Sequence, residues 1–294
     1  MVDDSAVENY LARFRRVLEF IGEHVDEDLS VEMLSGVASC SKFHFHRQFS
    51  GLLGVTVFKY VQIARFKRAS YRLAFRDDSV IEVALGSGYE GPEAFARAFK
   101  KLTGHAPSDV RKRPELALGQ PGYEPAESAR RMLMTSETEN RQVDIVNFEE
   151  TRVAVLEHRG DPTLLGASIR KFIDWRRKEK LPPKVSDTFN LLYDNPAEVP
   201  PEQFRLDLCA ATDKDLPPND EGLVARVIPA GRCALLRHVG PEEGFVEALR
   251  FIYAEWLPQS GEELRDFPLF CKRVRFFPDV PEHEAVTEIY LPLK

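Results

Sequence analysis

Little in this sequence invites covalent or redox chemistry. Its four cysteines, Cys40, Cys209, Cys233 and Cys271, are widely spaced and form no Cys-x-x-Cys pair. That pattern does not suit a zinc site, and the expectation is reduced thiols acting as small buried apolar groups. No nucleophile–base pair, metal-spaced cluster or cofactor motif stands out, so no catalytic group, metal or cofactor is expected. No apolar run approaches the roughly 18 residues that a membrane span needs. Met1–Ser5 is polar and acidic, which argues against a secretory leader and for the cytoplasm. Coiled-coil heptads are absent too, which points to a monomer.

What is present is two domains' worth of ordinary globular sequence: 294 residues, 43% hydrophobic and 30% charged. The net charge of −7 is unevenly spread. Residues 41–113 carry 14 Lys+Arg against 6 Asp+Glu, a net of +8; residues 114–294 carry 23 against 32, a net of −9. A basic block on an otherwise acidic chain implies a local site for a polyanion.

The basic block is internally duplicated. Phe45-His46-Arg47-Gln48-Phe49 returns fifty positions later as Phe95-Ala96-Arg97-Ala98-Phe99, and Gly54 and Gly104 follow at one offset. Val31-Glu32-Met33 likewise precedes Ile81-Glu82-Val83 by fifty. Each copy reads as two short helices with a tight turn between, a helix-turn-helix. Ser30 and Ser41 stand as caps in the first copy, a Ser79/Glu82 capping box and Pro92 at a first helical turn in the second. An amphipathic helix over Val7–Val25 comes before them, and Pro107 opens a last short one. Thr56–Phe75 forms a long helix between the copies, with Lys59, Arg65, Lys67, Arg68 and Arg72 around an apolar stripe.

In a helix-turn-helix, the first turns of the second helix meet base edges in the major groove. Here those positions are Lys42, Phe43, His46 and Arg47, then Glu93, Ala94 and Arg97, with Lys100 and Lys101 further along. Arginine suits guanine, a phenyl ring suits the thymine methyl, and a carboxylate can accept from cytosine. A spacer about 28 Å long approaches one turn of B-DNA, so one monomer could reach two successive grooves of double-stranded DNA. The alternative is a plain helical bundle with solvated basic residues.

These residues resemble the DNA-binding domain of AraC/XylS transcription regulators. The likeness covers residues 10–113. Its signature runs from Ala84 through Gly88-Tyr89, Phe95-x-Arg97-x-Phe99-Lys100-Lys101 and Gly104-x-x-Pro107. It implies base contacts from Phe43, His46, Arg47, Glu93 and Arg97. Pro92-Glu93 departs from the polar residues many relatives carry there.

Residues 114–140 read as a connector, with Pro114, Pro121 and Pro125 followed by the polar run Thr135–Asn140; at most one helical turn is expected, at Arg130–Met134. Residues 141–294 are again duplicated, at a period near 80: Arg152–Gly160 aligns with Arg232–Gly240. Each copy continues with an amphipathic helix (Ile169–Trp175, Phe245–Trp256), a Pro-rich loop and a closing strand (Phe204–Ala210, Ala285–Leu291). The expected class is therefore a multi-domain chain: an all-α tandem helix-turn-helix domain (7–113), a linker, and an α+β domain (141–294). The last is two βαββ repeats about a pseudo-two-fold axis, with a cleft suited to a ligand. Alternation sets Glu288 on one strand face with Val286 and Tyr290; Asp207 is its repeat partner. An acid in an apolar strand is either satisfied internally or awaits a cation. His158 and His238 read as structural strand-end groups.

This half resembles the GyrI-like small-molecule-binding domain, found behind AraC-type domains in Rob-like regulators. Tyr193-Asp194-Asn195-Pro196, Ile228-Pro229-Ala230-Gly231, His238-x-Gly240-Pro241, Trp256-Leu257-Pro258 and Thr287–Pro292 carry the likeness. Phe276-Phe277-Pro278 departs from the Tyr-x-Asn-Asp-Pro of the family. The resemblance implies that Glu288 sits in a central pocket against cationic or polar ligand groups. Trp175, Tyr193, Tyr253, Trp256 and Phe270 are expected as walls, though they could equally be core. The leading reading is a regulator whose C-terminal domain senses a lipophilic or cationic effector and biases a domain arrangement or a surface that contacts RNA polymerase, as an activator would. The alternatives are a hydrolase using Glu288 with Tyr290 or Tyr193, and a gyrase-inhibitor-like protein-binding module.

Overall fold

The computed structural model describes residues 4–134 and 141–294, which form two compact units divided at the gap between them. The polar run Thr135–Asn140 and the first residues of the expected leader-free start, Met1–Asp3, lie outside the described residues.

The first unit is all helix: α1 (Asp4–Glu23), α2 (Val31–Val37), α3 (Lys42–Leu53), α4 (Val57–Phe75), α5 (Val80–Leu85), α6 (Pro92–Thr103) and α7 (Pro107–Lys112). Ser30 and Thr56 cap α2 and α4 by accepting the N–H of Met33 and Lys59, and Ser79 with Glu82 closes a reciprocal capping box on α5. Ser41 departs from expectation: it is extended at the start of α3 but makes no side-chain cap bond. Helix α4 is the strut of the unit. Its Tyr60 packs edge-on to Phe49 at 5.9 Å, and its Phe66 meets Phe95 at 5.8 Å and Phe99 at 5.5 Å. One helix thus holds the inward phenylalanines of both repeats.

The basic residues of α4 are largely spent on the fold. Arg65 donates to the carbonyls of Val25 at 2.9 Å and Glu27 at 2.5 Å, and Arg68 pairs with Asp26 at 2.5 Å. Arg72 pairs with Asp78 at 2.8 Å, holding that carboxyl below the usual carboxylate range, and Lys67 pairs with Glu127 at 2.8 Å.

The expected connector is a correction. Two 3-10 turns, Pro114–Ala117 and Pro121–Tyr123, lead into α8 (Glu124–Met134), which packs back on the helical unit. Ala126, Ala129 and Leu133 form its buried stripe. Tyr123 is 2% exposed; its hydroxyl donates to the Phe66 carbonyl at 3.0 Å and sits 2.5 Å from Ser70 Oγ. Gly122 passes so close to the Leu102 carbonyl oxygen that a Cβ would stand 2.3 Å from it. The stripe is two alanines and a leucine, too faint an apolar signal to show behind three prolines.

The second unit is one eight-stranded antiparallel sheet. Its strands are β1 (Val143–Phe148), β2 (Thr151–Arg159), β3 (Thr188–Leu192), β4 (Arg205–Ala211), β5 (Val224–Ile228), β6 (Gly231–Val239), β7 (Leu269–Arg275) and β8 (Val286–Pro292), with α9 (Leu165–Lys178) and α10 (Glu242–Phe251) between them. The order is β1-β6-β8-β7-β3-β4-β2-β5, so the two βαββ repeats meet at β3 and β7. Each repeat also has a leading strand not anticipated from sequence, and these are exchanged: β1 pairs only with β6, and β5 with β2. Only Glu149-Glu150 joins β1 to β2, and only Pro229-Ala230 joins β5 to β6. Such links span about 10 Å, so both edges of the sheet must curl toward each other.

Curling gives the sheet two unlike faces. Helices α9 and α10 cover the convex one, where Phe172 and Trp175 pack on Ala154, Leu156 and Leu208, and Phe245, Ala248 and Ile252 pack on Ala234, Leu236 and Ile289. The concave face carries Val153, Val155, Phe189, Leu191, Cys209, Phe270 and Tyr290.

Candidate nucleic-acid interface and effector pocket

The two candidate reading helices are presented alike. Residues 43–49 and 93–99 run through the same order of exposed, buried and half-buried positions. Phe45, Phe49, Phe95 and Phe99 are fully buried, while Arg47 and Arg97 stand exposed at the same step of each helix. Both helices end on a left-handed glycine, Gly54 (φ 67°) and Gly104 (φ 80°), conformations that favour glycine. Among the described residues, Arg47, Arg97, Lys100 and Lys101 have no acidic partner. Phe43 is 76% exposed, with the Lys42 amine 5.7 Å from its ring; Lys42 also reaches Glu32 at 3.3 Å. His46 is half-buried, 6.1 Å from the exposed Phe58 ring. Glu93 is exposed at the start of α6. Lys59 lies near Lys101: burial, then the charge of Lys101, pulls its amine below the ordinary value. The first turn of α4 and the last turn of α6 therefore share a basic edge.

In the second unit the paired acids meet different fates. Asp207 is fully buried; it accepts the Tyr193 hydroxyl at 2.8 Å and Arg159 Nη1 at 2.7 Å. Burial and the bond to Asp207 push the Tyr193 hydroxyl up to about 12. Glu288 keeps a fifth of its side chain exposed, accepts the Tyr290 hydroxyl at 2.9 Å, and has Arg237 at 3.7 Å. Burial and Glu288 likewise raise the Tyr290 hydroxyl. The Phe270 and Tyr290 rings stack at 5.0 Å, with Phe148 edge-on to them at 4.8 and 5.3 Å.

Of the expected pocket residues, Glu288, Asp207, Tyr193, Tyr290 and Phe270 share the concave face. Trp175, Trp256 and Tyr253 do not. Trp175 and Trp256 pack in the helical layer behind the sheet, and Tyr253 is exposed on the π turn Ile252–Trp256 that continues α10. Helix-borne aromatics cover the convex face here, so only strand-borne ones reach the hollow. Sequence reasoning missed Phe148, Phe189 and Arg159; strand alternation in β2 would have flagged Arg159 as a neighbour of Glu157. His158 bonds Ser168 Oγ at 2.9 Å and the Asp161 carbonyl at 3.2 Å, and His238 bonds the Pro241 carbonyl at 3.0 Å. Both tie a strand end to the segment that follows it.

A tandem helix-turn-helix unit joined to a curled antiparallel sheet with a polar-lipped hollow defines a class, the DNA-binding regulator with an appended ligand domain. Residues 141–294, over half of the chain, match the GyrI-like small molecule binding domain, and the chain belongs to that family. Residues 34–113 match a helix-turn-helix domain. The chain is 37% identical over 152 residues to the "Probable transcriptional regulator YgiV" of Escherichia coli (strain K12), covering 51% of this chain and 95% of that protein. It is 37% identical over 93 residues to the "HTH-type transcriptional regulator YbfP" of Bacillus subtilis (strain 168), covering 32% of each. Among solved structures, an EcmrR–DNA complex covers 90% of this chain at 15% identity, with a TM-score of 0.45.

Proposed function

We propose that this protein is a cytoplasmic transcription regulator that reads double-stranded DNA through α3 and α6 and is tuned by a cationic, lipophilic effector held on the concave sheet face. The observation that carries the DNA reading is the matched exposure of Arg47 and Arg97 on helices with one burial order. Lys42, Phe43, His46 and Glu93 would set base preference, and Lys100 and Lys101 would neutralise phosphates. The experiment is operator selection followed by binding to the selected duplex; the Arg47→Ala and Arg97→Ala proteins should each bind more weakly.

For the effector, Glu288 supplies the counter-charge and Phe270, Tyr290 and Phe148 the apolar wall. An effector changes DNA binding, or a surface offered to RNA polymerase, only if it binds one state of the protein better than another. Binding without turnover is favoured over hydrolysis, because both acids already accept a tyrosine hydroxyl, Asp207 from Tyr193 and Glu288 from Tyr290, and Asp207 is also paired with Arg159. Mass spectrometry of a bound cation should return it unchanged.

A further inference from the structure

The pseudo-two-fold of the sheet lets one half serve as a template for the other. The strand registers make Asp207 equivalent to Glu288, Arg159 to Val239 and Glu157 to Arg237, while the position of Tyr193 falls at the β7 bulge, on Val274 and Arg275, the latter paired with Glu284 at 3.0 Å. In the first half the acid is already occupied by the chain itself: the Arg159 guanidinium bonds Asp207 at 2.7 Å while lying 5.5 Å from the Tyr193 ring. In the second half the position of Arg159 is a valine. Val239 is 46% exposed and Val274, at a bulge in β7, is 40% exposed. Neither brings a charge to Glu288. Arg237 reaches it only at 3.7 Å with 59% of its side chain in solvent, and Lys272, its neighbour across β7, is turned to Asp187 at 2.7 Å. One twin site is thus filled by a built-in guanidinium, and the other presents an acid with a valine in that guanidinium's place.

We infer that Arg159 is a specificity-determining residue that restricts the effector to a single cationic group of guanidinium-like shape, seated at Glu288 with its apolar part against the Phe270 and Tyr290 wall. The inference rests on the effector reading above. A second cation on the same ligand would meet Asp207 already neutralised, and would be desolvated beside Arg159 without a partner. Three strand spacings and a two-residue offset along the strands separate the twin acids, about 16 Å along the sheet, a span that an eight-carbon chain with two guanidinium ends covers.

The test uses isothermal titration of the full chain at pH 8 with n-octylguanidine and its matched dication, 1,8-diguanidinooctane. The wild-type protein is expected to bind the monocation at least tenfold more tightly. Arg159→Met, which frees Asp207, should erase or reverse that ratio. Should Arg159→Met lose its melting transition, the reciprocal change decides: Val239→Arg places a guanidinium at the twin position and should weaken octylguanidine at least tenfold, whereas Val239→Met should not. Equal binding of both probes by the wild type overturns the inference, as does an unchanged ratio in a folded Arg159→Met, or unchanged affinity in Val239→Arg. Glu288→Gln separates the two levels. If it binds octylguanidine as tightly as wild type, the effector reading fails and this inference with it. If Glu288 matters but selectivity does not follow Arg159, this inference alone fails.

Discussion

Arg47 and Arg97 occupy one and the same step of two helices fifty residues apart, each exposed between two fully buried phenylalanines. The phenylalanines fix the rotation of each helix against α4, so neither arginine can turn inward without exposing a ring. Helix α4, 19 residues long, spans about 28 Å and sets the spacing of the two. That geometry suits the double reader proposed above, two helices on one strut. Arg65, Lys67, Arg68 and Arg72 of α4 are held by partners within the helical unit, whereas Lys59 stands beside Lys101.

Lys100 and Lys101 should behave differently from the arginines. Both are exposed in the last turn of α6, away from its first turns. Lys100→Ala and Lys101→Ala should each weaken binding by a similar factor on selected and random duplexes. Each should also lower the dependence of log affinity on log salt by about 1. Loss confined to the selected duplex would reassign them to base reading.

Residues 114–134 should prove part of the helical unit's stability. Tyr123→Phe removes the donor to Phe66 and should cost about 1 kcal/mol in denaturant unfolding. Gly122→Ala must push a methyl group into the Leu102 carbonyl and should cost about 1–3 kcal/mol, despite adding only one carbon. A free connector would tolerate both changes with no shift in midpoint.

Acidification should loosen the sheet unit through His158. Burial lowers its pKa below the ordinary 6.5. A depressed value means the unfolded chain takes up the proton first, so stability is whole above about pH 6.5 and falls as pH drops below it. His158→Gln should flatten the decline of melting temperature between pH 7.5 and 5.5. An equal slope in wild type and variant would remove His158 from the account.

The sequence showed what it repeated. Fifty-residue and eighty-residue periods exposed both duplications because phenylalanines, glycines and strand runs recur in register. Helix α8 escaped because alanines at 126 and 129 bury little apolar surface and prolines precede them. The leading strands escaped because edge strands show little alternation; four of the five β5 residues are exposed. Trp175 and Trp256 drew attention as bulky aromatics, but a helix on the convex face cannot reach the hollow. The fate of Asp207 was hidden because its partner Arg159 lies 48 positions away, brought near only by the β2–β4 ladder.

The most direct test of the double reader is fluorescence anisotropy on a duplex chosen by the wild-type protein, at fixed salt, with Arg47→Ala, Arg97→Ala and the double variant. Each single change should cost about 1–3 kcal/mol on that duplex and relax preference at one base position, at places about one helical turn apart. Wild-type affinity in either single variant, or loss of preference at one shared position in both, would contradict two independent readers.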